Sequence, residues 1–288
     1  MSTIPAQELD TPRGDPIAQI ERRLGRPRPL PGMYSGNLAA VLERGWIAIK
    51  TQNWIIILSG FVEPVLYLLA MGIGVGALVG DVTGPDGQPI SYAAYIAPAL
   101  LATSAMNGAL YDSTVNVFFK LNYAKLYQAM LQTAMGPMDV ALGEIVLALL
   151  RGLLYAVAFM GLMAGLGLAT SWWALAMIPA ALLIAFGFAS VGMAVTSYMK
   201  TFQQLDVIIF AMLPMFLFSA TLYPIEVFPE VIQWFIKAMP LWHGVEMMRH
   251  LAVGYLTWGT LWHMVYFVAM SVVGTLLTTV RLRKLFLR

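Results

Sequence analysis

Six stretches of this chain, 54–79, 91–118, 140–168, 174–199, 206–223 and 260–280, are each long and apolar enough to cross a lipid bilayer. Hydrocarbon offers no partner to a backbone amide, so such stretches must satisfy their own hydrogen bonds and fold as helices. The rest of the composition points the same way. Of the 288 residues, 59% are hydrophobic and 11% charged, against about 25% charged in soluble domains. The absence of cysteine excludes disulfides, thiolate metal sites and cysteine nucleophiles. The expected fold class is an all-α polytopic membrane protein with six transmembrane helices.

Residues 1–33 are polar and proline-rich, carry Arg13, Arg22, Arg23, Arg26 and Arg28, and have no apolar core for a signal peptide. They are expected to be a disordered cytosolic tail. In 34–53, Leu38, Val41, Leu42, Trp46 and Ile47 recur at helical spacing among Glu43, Arg44 and Lys50, which predicts an amphipathic helix in the membrane interface. Residues 54–288 then form the transmembrane domain. With the N-terminus inside, 14 of the 17 lysines and arginines lie in the cytosol, as the bias of positive charge toward cytoplasmic loops demands. Both termini and the loop from Asn116 to Asp139, between the second and third spans, are therefore expected inside. Residues 224–259 are too proline-broken for a seventh span, with Pro224, Pro229 and Pro240, and too apolar for a free loop. Two short external helices re-entering the outer leaflet and broken at Pro240 reconcile the two facts.

Ionisable residues within spans face a partner or a wet cavity. They are Glu63, Asp112, Glu144 and Arg151. At the α-helical rise, Glu63 and Arg151 lie about 14 and 16 Å from the inner ends of their helices, and Asp112 about 9 Å. Either Glu63 or Asp112 is in reach of Arg151, and one arginine among acids suits a structural charge network better than a proton relay. His243, Glu246 and His250, with Arg249, belong to the external segment; the histidines share a helix face but are seven apart, not the four of a metalloprotease helix, and no metal is expected there. No phosphate-binding loop occurs, and the Gly72/Gly76/Gly80 and Gly161/Gly165 spacings are those of close helix packing. The aromatics toward the outer face fit an interfacial belt.

The blocks Leu110–Tyr127, Gly136–Glu144, Phe218–Ile225 and Pro240–Arg249 resemble the permease subunits of ABC-2 type exporters, most of all the nodulation-type lipo-oligosaccharide and daunorubicin-type drug permeases. The resemblance runs from about residue 35 to the C-terminus. It implies a six-helix half-transporter of a bacterial inner (plasma) membrane, with a cytosolic coupling helix between spans two and three. It implies a homodimer, with a heterodimer as the alternative, beside two copies of a cytosolic ATPase that holds the ATP and Mg. The chain itself is then a non-catalytic permease that binds no cofactor. Lys120, Asn122, Tyr123, Lys125, Leu126 and Tyr127 are the expected ATPase-docking residues, the aromatic and aliphatic side chains as anchors and the lysines for an acidic rim. Membrane lipid and an amphipathic substrate, a glycolipid or a hydrophobic drug, are the other expected partners; no nucleic acid is. Two other classes compete. An ion-coupled secondary transporter calls for inverted repeats or broken midplane helices, and a membrane enzyme acting on lipid intermediates calls for a polar catalytic cluster. The sequence displays neither of the first pair of features, and for the second only the His243/Glu246/His250 face.

Overall fold

The protein is described from a computed structural model that covers residues 34–50, 62–169 and 171–286, without the side chains of 48–50. The expected tail over 1–33, the last three residues of the expected interfacial segment, 51–53, and the first part of the expected first span, 54–61, lie outside the described residues. Among the described residues the fold is mainly helical, with one two-stranded hairpin. Helix α1 (Leu38–Lys50) precedes α2 (Val62–Val79), the hairpin strands β1 (Asp81–Thr83) and β2 (Pro89–Ser91), and α3 (Tyr92–Tyr123). Then come α4 (Leu126–Leu131), α5 (Pro137–Gly165), α6 (Trp172–Thr196) and α7 (Phe202–Leu217). Helices α8 (Glu230–Ala238), α9 (Pro240–Val253) and α10 (Trp258–Phe286) complete the chain.

Five of these helices, α2, α3, α5, α6 and α10, are long and apolar enough to cross a membrane, and α7 is a shorter apolar helix. The boundaries depart from expectation in informative ways. Helix α3 continues to Tyr123, past the expected end at 118, and does so through two π-helical turns, Asp112–Asn116 and Phe119–Tyr123. The fifth helix starts at Phe202 and stops at Leu217 instead of running over 206–223. The carbonyls just beyond it are held elsewhere. Arg249 takes those of Ala220 (2.7 Å) and Thr221 (3.1 Å), and the Tyr92 hydroxyl donates to that of Leu222 (2.9 Å). Side chains thus hold this stretch of backbone in a non-helical form, with Ala220 at a left-handed φ of 54°. The hairpin was not anticipated, although Gly84-Pro-Asp-Gly87 is a turn sequence. Gly87 adopts φ +79° and donates to the Gly84 carbonyl at 3.0 Å.

Helices α3, α5, α6 and α10 share the core, and α9 packs on α3. The α6–α10 seam depends on glycine: a Cβ on Gly274 would stand 2.7 Å from the Ser190 backbone carbon, and one on Gly187 2.8 Å from the Phe267 ring. Of the glycines expected to mediate close packing, Gly72 meets Ala93 and Gly76 meets Tyr92 where α2 approaches α3. Within this chain Gly80, Gly161 and Gly165 meet no other helix. Helix α1 lies on α5, with Val41 buried against Gly143 and Gly45 against Leu147. Trp46 and Ile47 point outward on its other face, the division of an interfacial helix.

Candidate functional site

At the end of the bundle that carries α1 and α4, one carboxylate organises three elements. Glu144, on the second turn of α5, is buried and receives Arg44 of α1 at 3.2 Å on one oxygen and Lys120 of α3 at 2.5 Å on the other. One turn earlier, the fully buried Asp139 caps its own helix through the Gly136 amide and also takes the Ser35 amide, both at 2.9 Å. The Asn37 amide donates to the Ala134 carbonyl at 2.6 Å. The start of α1, the end of α3 and the base of α5 are therefore joined by charge-assisted bonds that work best where water is scarce. Glu144 belongs to this knot at the α1/α4 end, apart from the Asp112–Arg151 pair deeper in the bundle.

Helix α4 hangs between these elements. Lys125 precedes it in the left-handed conformation, φ 48°. The expected docking residues divide on inspection. Asn122, Tyr123 and Lys125 are exposed, Leu126 is half-buried, and Lys120 is held by Glu144. Tyr127 is 0% exposed, so it is a core residue of this chain and not an anchor for another protein. Burial pushes its phenol well above the ordinary range, with Glu144 adding to the rise and Arg44 opposing it. Nearby the fold assembles an exposed aromatic cluster that no local sequence pattern marks. Phe119 stands 5.3 Å from the Tyr123 ring and 5.9 Å from that of Phe202, at the start of α7. All three are largely exposed. Phe119 and Phe202 are 83 residues apart in sequence, so no local spacing could join them.

Deeper in the bundle Arg151 meets Asp112 at 2.6 Å, and Asp112 also accepts from the Asn116 amide at 2.7 Å. Asp112 opens the first π turn of α3, so the widened turn and the ion pair coincide. A small cavity beside them is walled by Ser104, Gly108, Gly152 and Tyr155. Glu63 is exposed on α2, and among the described residues no ion pair joins it to Arg151. Of the two acids in reach by depth, the arginine is paired with the shallower one.

At the other end, α8 and α9 break at Met239 and Pro240, with Pro240 in the first turn of α9. Pro224 sits just before a short 3-10 turn, Ile225–Val227. Arg249 is 3% exposed and staples the region. Besides the two carbonyls of the irregular stretch, it bonds Glu246 at 3.1 Å and the Tyr95 carbonyl at 3.4 Å, and its guanidinium lies 3.8 Å over the Tyr95 ring. His250 Nε2 stands 4.0 Å from Glu246. His243 turns away from that pair toward His263 of α10, whose Nδ1 is 2.8 Å from its own. Among the described residues no group of three or more His, Cys, Asp or Glu side chains is arranged to hold a metal ion.

Comparison with known proteins adds a relationship. The profile of the ABC-2 type transporter family matches residues 36–253. The chain is 31% identical over 264 residues to Nodulation protein J of Rhizobium leguminosarum bv. trifolii, covering 90% of this chain and 97% of that protein. It is 29% identical over 257 residues to Nodulation protein J of Rhizobium leguminosarum bv. viciae, covering 88% and 96%. The counterpart from Sinorhizobium fredii (strain NBRC 101917 / NGR234) is 32% identical over 219 residues, 74% of this chain and 80% of that protein.

Proposed function

The chain belongs to the ABC-2 type transporter family and is a multi-pass membrane subunit of an ABC transporter; on that premise we propose that it is the permease of an ATP-driven exporter that moves an amphipathic substrate, a glycolipid or a hydrophobic drug, out of the cytoplasm or inner leaflet. Two copies form the pathway in a bacterial inner membrane, with both termini cytosolic, and each docks one ATPase subunit that supplies the ATP and Mg chemistry. The observation that carries this reading is the Glu144 knot, which makes the α4 end of the molecule one mechanical body.

The residues act in order from the loop inward. Tyr123, Phe119 and Phe202 offer an aromatic face to an ATPase groove, and Lys125 and Asn122 offer polar contacts at its rim. Closure of the ATPase pair displaces α4. Lys120 and Arg44, both on Glu144, carry that displacement to α3, α5 and α1 together, because moving one element alone would strand a buried carboxylate. Asp112 and Arg151 repeat the tie between α3 and α5 further into the membrane. The largely exposed apolar faces of α2 and α7, with Leu66, Ile73, Val207 and Phe210 outward, favour a second copy and a membrane-partitioned cargo over a small ion.

The test is a reconstituted complex with its ATPase. Tyr123→Ala with Lys125→Glu is expected to leave the chain folded and lower permease-stimulated ATP hydrolysis and transport at least about tenfold, the loss expected when an interface anchor is removed. Unchanged hydrolysis and transport would remove the docking assignment, and ATP hydrolysis by the purified chain alone would remove the division of labour.

A further inference from the structure

The chain has three histidines, at 243, 250 and 263, and the fold gathers all of them at the junction of α9 with α10. His243 and His263 face each other Nδ1 to Nδ1 at 2.8 Å, with ring centroids 5.0 Å apart, and both are buried. His250 lies 6.2 Å from His263 by ring centroid and bonds Thr260 of α10 through its Nδ1 at 2.9 Å. Every imidazole thus links α9 to α10. We propose that His243 and His263 form a proton-binding latch, which holds α9 against α10 while at most one of the two rings is charged and releases it when both are.

The chemistry of the contact sets this behaviour. A 2.8 Å bond between two Nδ1 atoms needs one donor and one acceptor, which a neutral pair or a singly protonated pair provides. In the doubly protonated pair both nitrogens carry hydrogen, so the bond is lost and two positive rings face each other. Among the described residues no carboxylate pairs with His243 or His263 to absorb the second charge. From α9 itself come Glu246, which serves His250 and Arg249, and the Arg249 guanidinium. Helix α10 brings Tyr266, stacked on His243 at 4.2 Å, and the connection between the helices brings Tyr255 beside His250. Helix α3 brings Tyr92 and Tyr95, the latter under Arg249. Glu226, Glu230 and Lys237, on the segments leading to α9, are exposed, and α6 contributes no ionisable side chain. Burial holds His243 and His250 below the ordinary histidine range, Glu246 opposing and Arg249 reinforcing the effect on His250. Groups held neutral by folding favour the closed arrangement above that range and lose the advantage as pH falls through it.

Release matters because α9 also carries Arg249, which holds the irregular Ala220–Thr221 backbone and the top of α3. A loosened α9 frees that end of the bundle. Only the statement that this end is external rests on the exporter reading; the titration does not.

Hydrogen–deuterium exchange of the purified full chain in detergent micelles, without the ATPase, tests the latch. Exchange at the imidazole carbons reports each histidine's titration, and amide exchange over 240–253, corrected for the intrinsic effect of pH, reports the opening of α9. In the wild type the pair is expected to take up protons in two steps, the second at least about tenfold weaker, with α9 amides exchanging at least about tenfold faster below the second step. In His263→Gln, and separately in His243→Gln, the remaining partner titrates as a single group and the pH-dependent opening disappears. An identical His243 titration in wild type and His263→Gln overturns the proposal, as does a single uncoupled step in the wild type alone, which needs no variant to fold. Because the titration is read without the ATPase, a reconstituted complex that fails to couple ATP hydrolysis to transport would overturn the exporter reading and leave the latch intact.

Discussion

Replacing Arg249 with leucine is the most demanding test of how the α9 end is held. The guanidinium is 3% exposed. Its Nη2 serves the Ala220 and Thr221 carbonyls at 2.7 and 3.1 Å, its Nη1 serves Glu246 at 3.1 Å, and its Nε reaches the Tyr95 carbonyl at 3.4 Å, too long to count for much. Leucine fills part of the volume and makes none of these bonds. Two carbonyls outside any helix lose charged donors, each such bond being worth about 1.5–3 kcal/mol. Glu246 keeps part of its solvent, with 23% of its side chain exposed, so its ion pair adds at most about 1 kcal/mol. The expected destabilisation is about 3–5 kcal/mol, in the range for removing one partner of a buried charge. Lysine should rescue little of it, since one ammonium cannot reach both carbonyls and Glu246 or lie flat over Tyr95. The assay is denaturant unfolding in micelles, followed by intrinsic fluorescence, with Glu246→Gln as the control expected to cost about 1 kcal/mol or less. An Arg249→Leu protein within about 1 kcal/mol of wild type would refute the reasoning: the Ala220–Thr221 backbone would then be held by something other than this side chain.

Two further outcomes are expected. Gly274→Ala must part α10 from α6 at Ser190 and should destabilise the bundle by about 1–3 kcal/mol, measured by thermal unfolding, whereas Gly161→Ala, with nothing near its Cβ position, should be neutral or mildly stabilising; equal effects would undo the seam. Arg151→Ala leaves Asp112 buried without its cation and should reduce folded protein recovered from membranes, while adding Asp112→Asn should restore the yield; normal yield with lost transport would instead assign the pair a role in the transport path.

The spans were legible because a bilayer imposes length and apolarity on every helix that crosses it, and α2, α3, α5, α6 and α10 carry both marks. Helix α1 was legible for a related reason: Leu38, Val41, Leu42, Trp46 and Ile47 recur at helical spacing among charged residues, though only the fold shows that Val41 turns inward and Trp46 outward. What composition could not reveal was where a helix stops for tertiary reasons. The end of α7 is decided by Arg249 and Tyr92, 28 and 130 residues away from the carbonyls they hold. The charges were found by their cost in a membrane, but their partners were not: depth placed Glu63 and Asp112 both within reach of Arg151, and only the fold chose. Tyr127 was misassigned because an aromatic residue in a polar loop reads alike whether it points into the protein or away from it. His263 was passed over because a lone histidine in an apolar span carries no pattern; its meaning comes from His243 across the junction.

The wide turns of α3 have a consequence for how the molecule keeps time between its ends. Each π turn holds one residue more than an α-helical turn would, so everything beyond it is rotated by roughly 100° relative to a regular helix. Lys120 meets Glu144 in the phase set by the turn at Asp112–Asn116, and Tyr123 and Phe119 present their rings in the phase set by the turn at Phe119–Tyr123. The helix is therefore geared: shortening either turn by one residue would keep its apolarity and helicity and cost only about 1.5 Å of length, yet swing the aromatic face out of alignment with the rest of the bundle.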